Sequence, residues 1–255
     1  MPPAIVRPPP AVSATAAARR SHLDHPRRTG DISGTGVDIG PGRPVLEQSR
    51  TKALSGSHNG FLDCAGILLT GGRSRRMGRD KAALPAGPGP GDGTLARRTA
   101  DVLSSVCAPV LEVGPGRSGR PAVADARPGS GPLAALVTGW TALREGGSSG
   151  AAIVVATDLP KLSIGLLEWL RDRPGGRSVV PVAAGRVQPL CARWSAHDLD
   201  VATHLVAEGR LAMWALIEAT DPALVTEVEW AGPAGGTAAL IDVDTPEDLE
   251  RVTDA

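Results

Sequence analysis

The chain has 255 residues, with 27 Lys and Arg against 27 Asp and Glu, so its formal net charge is zero. A nucleic-acid-binding domain usually carries a basic surplus and aromatic stacking platforms, but aromatic residues make up only 2% of this chain. No apolar run reaches the roughly 18 residues that a membrane-spanning helix needs. We therefore expect neither nucleic acid nor a membrane as a partner. The three widely separated cysteines indicate the reducing cytoplasm.

The first part of the chain differs in composition from the rest. Residues 1–60 are rich in Pro, Ala and Gly and show no sustained hydrophobic periodicity. Such a segment has too little apolar surface to offset the entropy of ordering it, so we predict a disordered tail. Residues 61–255 then form a single domain of ordinary size.

From Cys64 onward, apolar runs alternate with amphipathic segments. Strands are predicted over residues 64–69, 110–113, 151–156, 178–182, 187–194 and 238–243. Helices are predicted over residues 94–106, 132–143, 163–171, 195–208 and 211–219, and a last helix opens at Thr245. Ser163 and Ser195 are suited as helix N-caps, and Ser195 forms a capping box with Asp198. Apolar strands that alternate with helices indicate an α/β domain, in which helices cover both faces of a mostly parallel sheet.

Polar residues and glycines at the ends of these strands mark the expected site. In parallel α/β sheets, ligands bind beyond the carboxyl ends of the strands. The pair Gly71 and Gly72, the carboxylate of Asp158, and the pair Asp242 and Asp244 all fall at such ends. The sequence therefore predicts that these residues, although far apart along the chain, gather at one edge of the sheet.

The segment after the first strand carries the most chemistry. Gly71 and Gly72 would let backbone N–H groups approach a phosphate closely, and the arginines that follow supply positive charge. Lys81 stands out because only 3 of the 27 Lys and Arg residues are lysines. A lysine in such a chain indicates that a compact ammonium group is needed there. The segment fits neither the phosphate loop, GxxxxGK followed by Ser or Thr, nor the dinucleotide fingerprint GxGxxG.

The whole loop resembles a known signature. Molybdenum cofactor guanylyltransferases, a family of nucleotidyltransferases, carry the pattern LAGGxSxRMGxDK. Residues 69–81 match this pattern with one exchange, Thr70 for Ala. Further segments, which begin at Asp125, Thr157, Gln188 and Asp242, resemble segments of the family in the same order. The resemblance covers roughly residues 64–254.

The resemblance implies a single three-layer, Rossmann-like nucleotidyltransferase domain. It also implies a reaction, the magnesium-dependent transfer of GMP from GTP to molybdopterin cofactor with release of pyrophosphate. A transient contact with molybdoenzymes, which receive the product, is expected from the same resemblance. In this family a Gly-Gly pair, here at positions 71 and 72, goes with GTP, whereas an Ala-Gly pair goes with CTP. Glycine lacks the methyl group of alanine and so leaves room for a purine.

The resemblance also assigns roles to individual residues. The nucleotide-binding residues are Leu69, Thr70, Gly71, Gly72, Lys81, Asp125 and Asp158. Arg76 and Lys81 would neutralise charge on the β- and γ-phosphates and on the departing pyrophosphate, and so act in catalysis. The metal-binding residues are Asp158, Asp242 and Asp244, and the acceptor-binding residue is Gln188.

Other interpretations of these residues stay open. The same scaffold serves molybdopterin cytidylyltransferases and transferases of sugars or other small phosphates, and a non-catalytic nucleotide-binding module is a third alternative. One segment departs from the family, because Gly114-Pro115-Gly116 stands where the guanylyltransferases often have an Asn. Base recognition there would use backbone groups, or the specificity differs. Asp125 could instead precede a turn, and Asp244 could support a helix cap at Thr245.

Overall fold

The computed structural model describes residues 64–71, 81–86 and 93–243, together with position 248, and at Lys81 it describes the backbone alone. The tail predicted over residues 1–60 lies outside the described residues. The helix predicted after Thr245 also lies outside them, apart from the helical position Asp248. Within the described part of the chain, no helix is both long and apolar enough to cross a membrane.

One eight-stranded sheet organises the described residues. Its strands are β1 (Cys64–Leu69), β2 (Val110–Val113), β3 (Ala122–Val123), β4 (Ala151–Ala156), β5 (Val179–Ala183), β6 (Arg186–Val187), β7 (Cys191–Trp194) and β8 (Ala223–Val225). The α-helices are α1 (Leu95–Ser104), α2 (Pro132–Glu145), α3 (Ile164–Asp172), α4 (Ala196–Ala207), α5 (Met213–Thr220) and α6 (Glu227–Ala234). Short 3-10 turns cover Lys81–Ala83 and Thr237–Leu240.

The strands lie in the order β3-β2-β1-β4-β7-β5-β6, and β8 pairs with β5. Strands β3, β2, β1 and β4 run parallel to one another, whereas β7 is antiparallel to both β4 and β5. The carboxyl ends of β1 to β4, from Leu69 to Ala156, therefore meet at one edge of the sheet. We call it the carboxyl edge. The start of β7 reaches the same edge, because Cys191 lies opposite Val155.

Alternate residues of the central strands face two separate hydrophobic clusters. Leu68 and Ile153 belong to the cluster that α1, α3 and α6 cover. Ile67 and Val154 belong to the cluster under α2, α4 and α5. All four side chains are fully buried. The predicted α/β domain, with helices on both faces of a mostly parallel sheet, is confirmed.

The helix starts follow the capping residues of the sequence. The hydroxyl oxygen of Ser163 accepts a hydrogen bond from the Leu166 N–H at the start of α3. Ser195 caps α4 by accepting from the Asp198 N–H at 3.1 Å. The reciprocal half of the predicted capping box is wrong, because Ser178 lies between its two partners. The Ser195 N–H donates to the Ser178 hydroxyl oxygen at 2.8 Å, and that hydroxyl donates to the Asp198 carboxylate.

The strand predicted over residues 238–243 is wrong. Gly235 and Gly236, with φ angles of +78° and +128°, end α6 and lead into the 3-10 turn Thr237–Leu240. Leu240 is 3% exposed and packs in the cluster that contains Trp230. The apolar run therefore covers one face of the sheet instead of joining the sheet as a strand.

The second half of the chain differs from its prediction in two further ways. The strand predicted over 187–194 is divided into β6 and β7, which are separated by a turn in which the Cys191 N–H donates to the Gln188 carbonyl oxygen. The elements β3, β8 and α6 were not predicted. The start of α6 could have been recognised in the sequence, because Thr226 and Glu229 form a capping box.

Candidate functional site

The carboxyl edge gathers segments that lie far apart in the sequence. Thr70 and Gly71 follow β1, and Gly114 follows β2. Backbone hydrogen bonds continue beyond the strands, from the Thr70 N–H to the Val113 carbonyl oxygen at 3.1 Å and from the Gly114 N–H to the Val123 carbonyl oxygen at 2.9 Å. The segments after β3 and β4, with Asp125 and Asp158, leave the sheet at the same edge. The predicted position of the site is therefore formed by four neighbouring parallel strands.

A buried carboxylate joins the loops after β1 and β2. Glu112 lies in β2, and none of its surface is exposed. Its Oε1 accepts from the Thr70 hydroxyl at 2.6 Å and from the N–H groups of Gly116 and Arg117, both at 2.9 Å. Its Oε2 accepts from the N–H and the hydroxyl of Ser118 at 2.7 and 2.6 Å. We call Glu112, Thr70 and residues 116–118 the Glu112 clamp.

The hydrogen bonds of the clamp stabilise the charged form of Glu112. Burial alone would raise the pKa of this carboxyl group. The hydrogen bonds from Ser118, Thr70 and the Arg117 N–H outweigh burial, so the pKa lies below its ordinary value of 4.5. Glu112 is therefore an anion inside the protein, and its charge is balanced by oriented dipoles.

Thr70 occupies the position where the family signature has Ala. Its side chain is buried, at 7% exposure, and its hydroxyl proton is used within the protein to bond Glu112. The exchange thus has a structural reason in this chain. The nucleotide contacts expected for Leu69 and Thr70 stay predictions.

Two glycines at this edge differ in what the protein requires of them. A Cβ added at Gly114 would lie 2.0 Å from the Thr70 hydroxyl oxygen, and its φ of +151° also disfavours a side chain. Gly71 is exposed, and its φ lies outside the left-handed region. Among the described residues, the nearest atom to a Cβ added at Gly71 would be the Val113 carbonyl oxygen, at 3.9 Å. The described residues therefore require a glycine at position 114 but not at position 71.

Asp158 lies where three segments of the edge meet. It is half-buried after β4, and its carbonyl oxygen accepts from the Val243 N–H at 2.9 Å, which brings the exposed Asp242 into the vicinity. Burial raises the pKa of the Cys191 thiol to about 12, and the nearby Asp158 carboxylate adds to this rise. Gln188, half-buried in the turn before β7, is on the adjoining segment, because the Leu190 carbonyl oxygen accepts from the Ala156 N–H.

Asp125 has a local contact of its own. It is half-buried after β3, and its Oδ1 accepts from the Arg127 N–H at 2.9 Å, two residues further on. This is the turn that a loop aspartate commonly forms. The contact occupies one carboxylate oxygen, and the predicted role of Asp125 in nucleotide binding stays a prediction.

The remaining predicted site residues lie outside the described residues. They are Gly72, Arg76, Asp244 and the side chain of Lys81. The backbone of Lys81 begins a 3-10 turn, and the next residue, Ala82, is buried. Within the described ranges, no group of three or more His, Cys, Asp or Glu side chains could hold a metal ion.

Sequence reasoning missed Glu112. One signal was present, because Glu112 is the sole charged residue of the strand V-L-E-V and precedes a Gly-Pro-Gly turn. A charge inside a strand of a sheet covered on both faces must find partners, and such a turn offers free N–H groups. The partner Thr70, which is 42 residues away, could not be read from the sequence.

The family is now clear from both fold and sequence. Residues 66–223, more than half of the chain, match the family model described as "MobA-like NTP transferase domain". The chain therefore belongs to this family and is a nucleotidyltransferase, and its three-layer Rossmann-like architecture is that of the class. The family predicted from the glycine loop is confirmed.

Particular relatives are similar over most of their length. A protein of Mycobacterium tuberculosis (strain H37Rv) named "Probable molybdenum cofactor guanylyltransferase" is 40% identical over 164 residues, which are 62% of this chain and 80% of that protein. A protein of the same name from Mycobacterium avium (strain 104) is 34% identical over 202 residues, or 76% of this chain and 97% of the relative.

A solved structure shows the same fold. Molybdopterin-guanine dinucleotide biosynthesis protein A from Archaeoglobus fulgidus superposes with a TM-score of 0.61 at 19% identity. The match covers 74% of this chain and 97% of that one. At this level of identity the likeness concerns the fold alone.

Proposed function

We propose that this chain is a cytoplasmic enzyme that transfers GMP from GTP to molybdopterin cofactor and releases pyrophosphate. The names of the mycobacterial relatives, at 34–40% identity, support the acceptor and the nucleotide. A transient contact with molybdoenzymes, which take up the product, belongs to the same proposal. The observation in this molecule that carries the proposal is Gly71.

Gly71 is a glycine that its described neighbours do not require. It is exposed at the carboxyl edge, its backbone conformation suits any residue, and the nearest atom of the described residues would allow a Cβ. A glycine in such a place is explained by a ligand that approaches the backbone closely. The additional space suits the larger purine base, which supports GTP over CTP.

The chemistry requires positioning and charge neutralisation. A terminal phosphate oxygen of the acceptor attacks the α-phosphorus of GTP, the new P–O bond forms, and the bond to the β-phosphate oxygen breaks as pyrophosphate leaves. Such displacement depends mainly on alignment and on electrostatic stabilisation of the transferred group. The backbone N–H groups at Gly71 and Gly72 would hold phosphate oxygens, and Arg76 and Lys81 would balance the charge on pyrophosphate. Asp125 would orient the nucleoside and Gln188 the acceptor.

Magnesium is the metal that suits this edge. Asp158, half-buried after β4, would bind it, with Asp242 or Asp244 as a second carboxylate. Magnesium prefers oxygen ligands and commonly uses one or two carboxylates together with substrate phosphates, so the residues fit. The bond between the Val243 N–H and the Asp158 carbonyl oxygen supports this grouping. When bound, the ion would neutralise charge on the triphosphate.

The experiment is a pyrophosphate-release assay with the purified full-length chain, magnesium, molybdopterin and each of the four nucleoside triphosphates. We expect release with GTP alone. Release with CTP alone would show a cytidylyltransferase. Release that occurs only when a sugar phosphate replaces molybdopterin would show a different acceptor. Tight GTP binding without turnover of any acceptor would support the non-catalytic module.

The variant Gly71→Ala tests the observation that carries the proposal. The added methyl group clashes with no described residue but enters the space assigned to the nucleotide, so the KM for GTP should rise at least about tenfold. The unfolding temperature should not change. The matched control is Gly232→Ala in α6, where a Cβ meets nothing within 4 Å among the described residues, and it should leave the KM for GTP unchanged. An unaltered KM in Gly71→Ala would contradict the placement of the nucleotide.

A further inference from the structure

The Glu112 clamp places a buried anion directly beneath the loops of the carboxyl edge. All five donors to Glu112 belong to loop residues: Thr70 after β1, and Gly116, Arg117 and Ser118 after β2. At residues 116–118 the clamp therefore orders backbone that lies outside the strands and helices, and it joins this backbone to Thr70 beside β1.

We propose that Glu112 is a positioning residue for the nucleoside triphosphate. The inference rests on the proposed function, which puts the nucleotide at this edge. Glu112 fixes Thr70, and with it the start of the glycine loop, against residues 114–118. The surface that the nucleotide meets is thereby formed before binding, and the protein does not have to order it during binding. Glu112 itself does not touch the nucleotide, since it is fully buried.

The donor pattern requires a carboxylate at this position. Oε1 accepts three hydrogen bonds and Oε2 accepts two, and every partner is a donor. A glutamine has the same shape, but its amide nitrogen would face N–H and O–H groups and could accept from none of them. An apolar residue would leave all the donors unpaired. Burying an anion is costly, so its presence in β2 is best explained by the loops that it arranges.

The clamp also determines which groups are available to a ligand between the two loops. With its hydroxyl on Glu112, Thr70 fills the space beside Gly114, where a Cβ would lie 2.0 Å from the Thr70 hydroxyl oxygen and 3.1 Å from the Gly71 nitrogen. No side chain can therefore start at position 114. A nucleotide that lies against this part of the edge meets the main chain of Gly114, so its recognition there depends on backbone positions, which the clamp fixes.

The test compares Glu112→Gln with the wild-type full-length protein by GTP binding calorimetry, steady-state kinetics and amide hydrogen exchange. We expect the dissociation constant and the KM for GTP to rise about tenfold, because misplaced binding groups lose affinity. The kcat at saturating GTP should stay within about threefold. The amides of residues 116–118 should exchange faster.

Two further variants separate positioning from folding. Thr70→Ala removes one donor and leaves four, so the protein should fold normally and still show a KM for GTP raised about threefold, while Thr70→Ser should restore the wild-type value. Asp198→Asn removes another buried carboxylate, at the opposite edge, where Asp198 is 7% exposed. It should lower stability without changing the KM.

Each result has a defined consequence. Faster exchange at residues 116–118 with an unchanged dissociation constant for GTP would overturn the inference and leave Glu112 a purely structural role. Wild-type protein that binds GTP but turns over no acceptor would defeat the proposed function, while the comparison of dissociation constants would still decide the role of Glu112. Wild-type protein that binds no nucleotide would overturn both.

Discussion

The two edges of the sheet both bury charge, but they use it differently. At the carboxyl edge, Glu112 accepts from loop residues and arranges irregular backbone. At the opposite edge, Arg193 in β7 is 2% exposed and donates to the carbonyl oxygens of Arg171, Arg173 and Arg177, at the end of α3 and beyond it. Burial lowers the pKa of Arg193, which has carbonyl dipoles as its partners.

The comparison indicates where charge serves stability and where it serves binding. Arg193 donates hydrogen bonds to carbonyl oxygens at the end of α3, where a cation also interacts favourably with the helix dipole. The bonds of Ser178 to Asp198 and Ser195 similarly connect the start of β5 to the start of α4. These contacts join helix ends and the connection between α3 and β5 to the sheet, away from the carboxyl edge. Glu112 instead holds loops at the edge where ligands of such sheets bind, so we expect the two edges to respond differently to substitution.

The largest effect is expected from Asp158→Asn at the carboxyl edge. Loss of the carboxylate removes the proposed magnesium ligand, so kcat for pyrophosphate release should fall about 100-fold or more. The backbone bond to Val243 is kept, and the unfolding transition checks that the variant is folded. The control is Asp101→Asn, since Asp101 is exposed on α1 and pairs with Arg120 at the surface. A kcat for Asp158→Asn within about threefold of wild type would contradict the proposed role of Asp158 as a magnesium ligand.

At the opposite edge, Arg193→Met should affect stability alone. Three carbonyl oxygens would lose their buried donor, and we expect the free energy of unfolding to fall by about 3 kcal/mol. Urea denaturation measures this change, and the KM for GTP of the folded variant should equal that of wild type. The exposed Arg186→Met on β6 serves as control, with a change within about 0.5 kcal/mol. A raised KM for GTP in Arg193→Met would contradict the proposed difference between the two edges, because a charge at the opposite edge would then also affect nucleotide binding.

Regular elements could be predicted because each carries its own local signal. Strands β1 and β4 are short apolar runs, β2 is apolar apart from Glu112, and Ser163 and Ser195 mark helix starts. The position of the carboxyl edge therefore followed from the sequence. The run at 238–243 misled because its apolar residues suit a strand as well as a turn packed near Trp230. Only the packing of α6 on the sheet decides between these alternatives.

Buried charges could not be predicted, because their partners come from distant segments. Arg193 looks like a solvated residue in the sequence C-A-R-W, yet its acceptors lie 16 to 22 residues before it. Glu112 was missed and Thr70 was interpreted without it, so the replacement of the signature's Ala by Thr70 gained a reason only when the structure brought the two residues together.

The pH dependence of stability gives the smallest and most specific effect. The pKa of Glu112 in the folded protein lies below 4.5, the value of an unperturbed glutamate. The clamp therefore contributes stability that is complete above about pH 4.5 and is lost as the pH falls through the folded-state pKa. The difference in unfolding free energy between wild type and Glu112→Gln should be largest near pH 7 and narrow toward about pH 3, as measured by urea denaturation. A difference that stays constant over this range would mean that Glu112 is not held as an anion, and the donors around it would then need another acceptor.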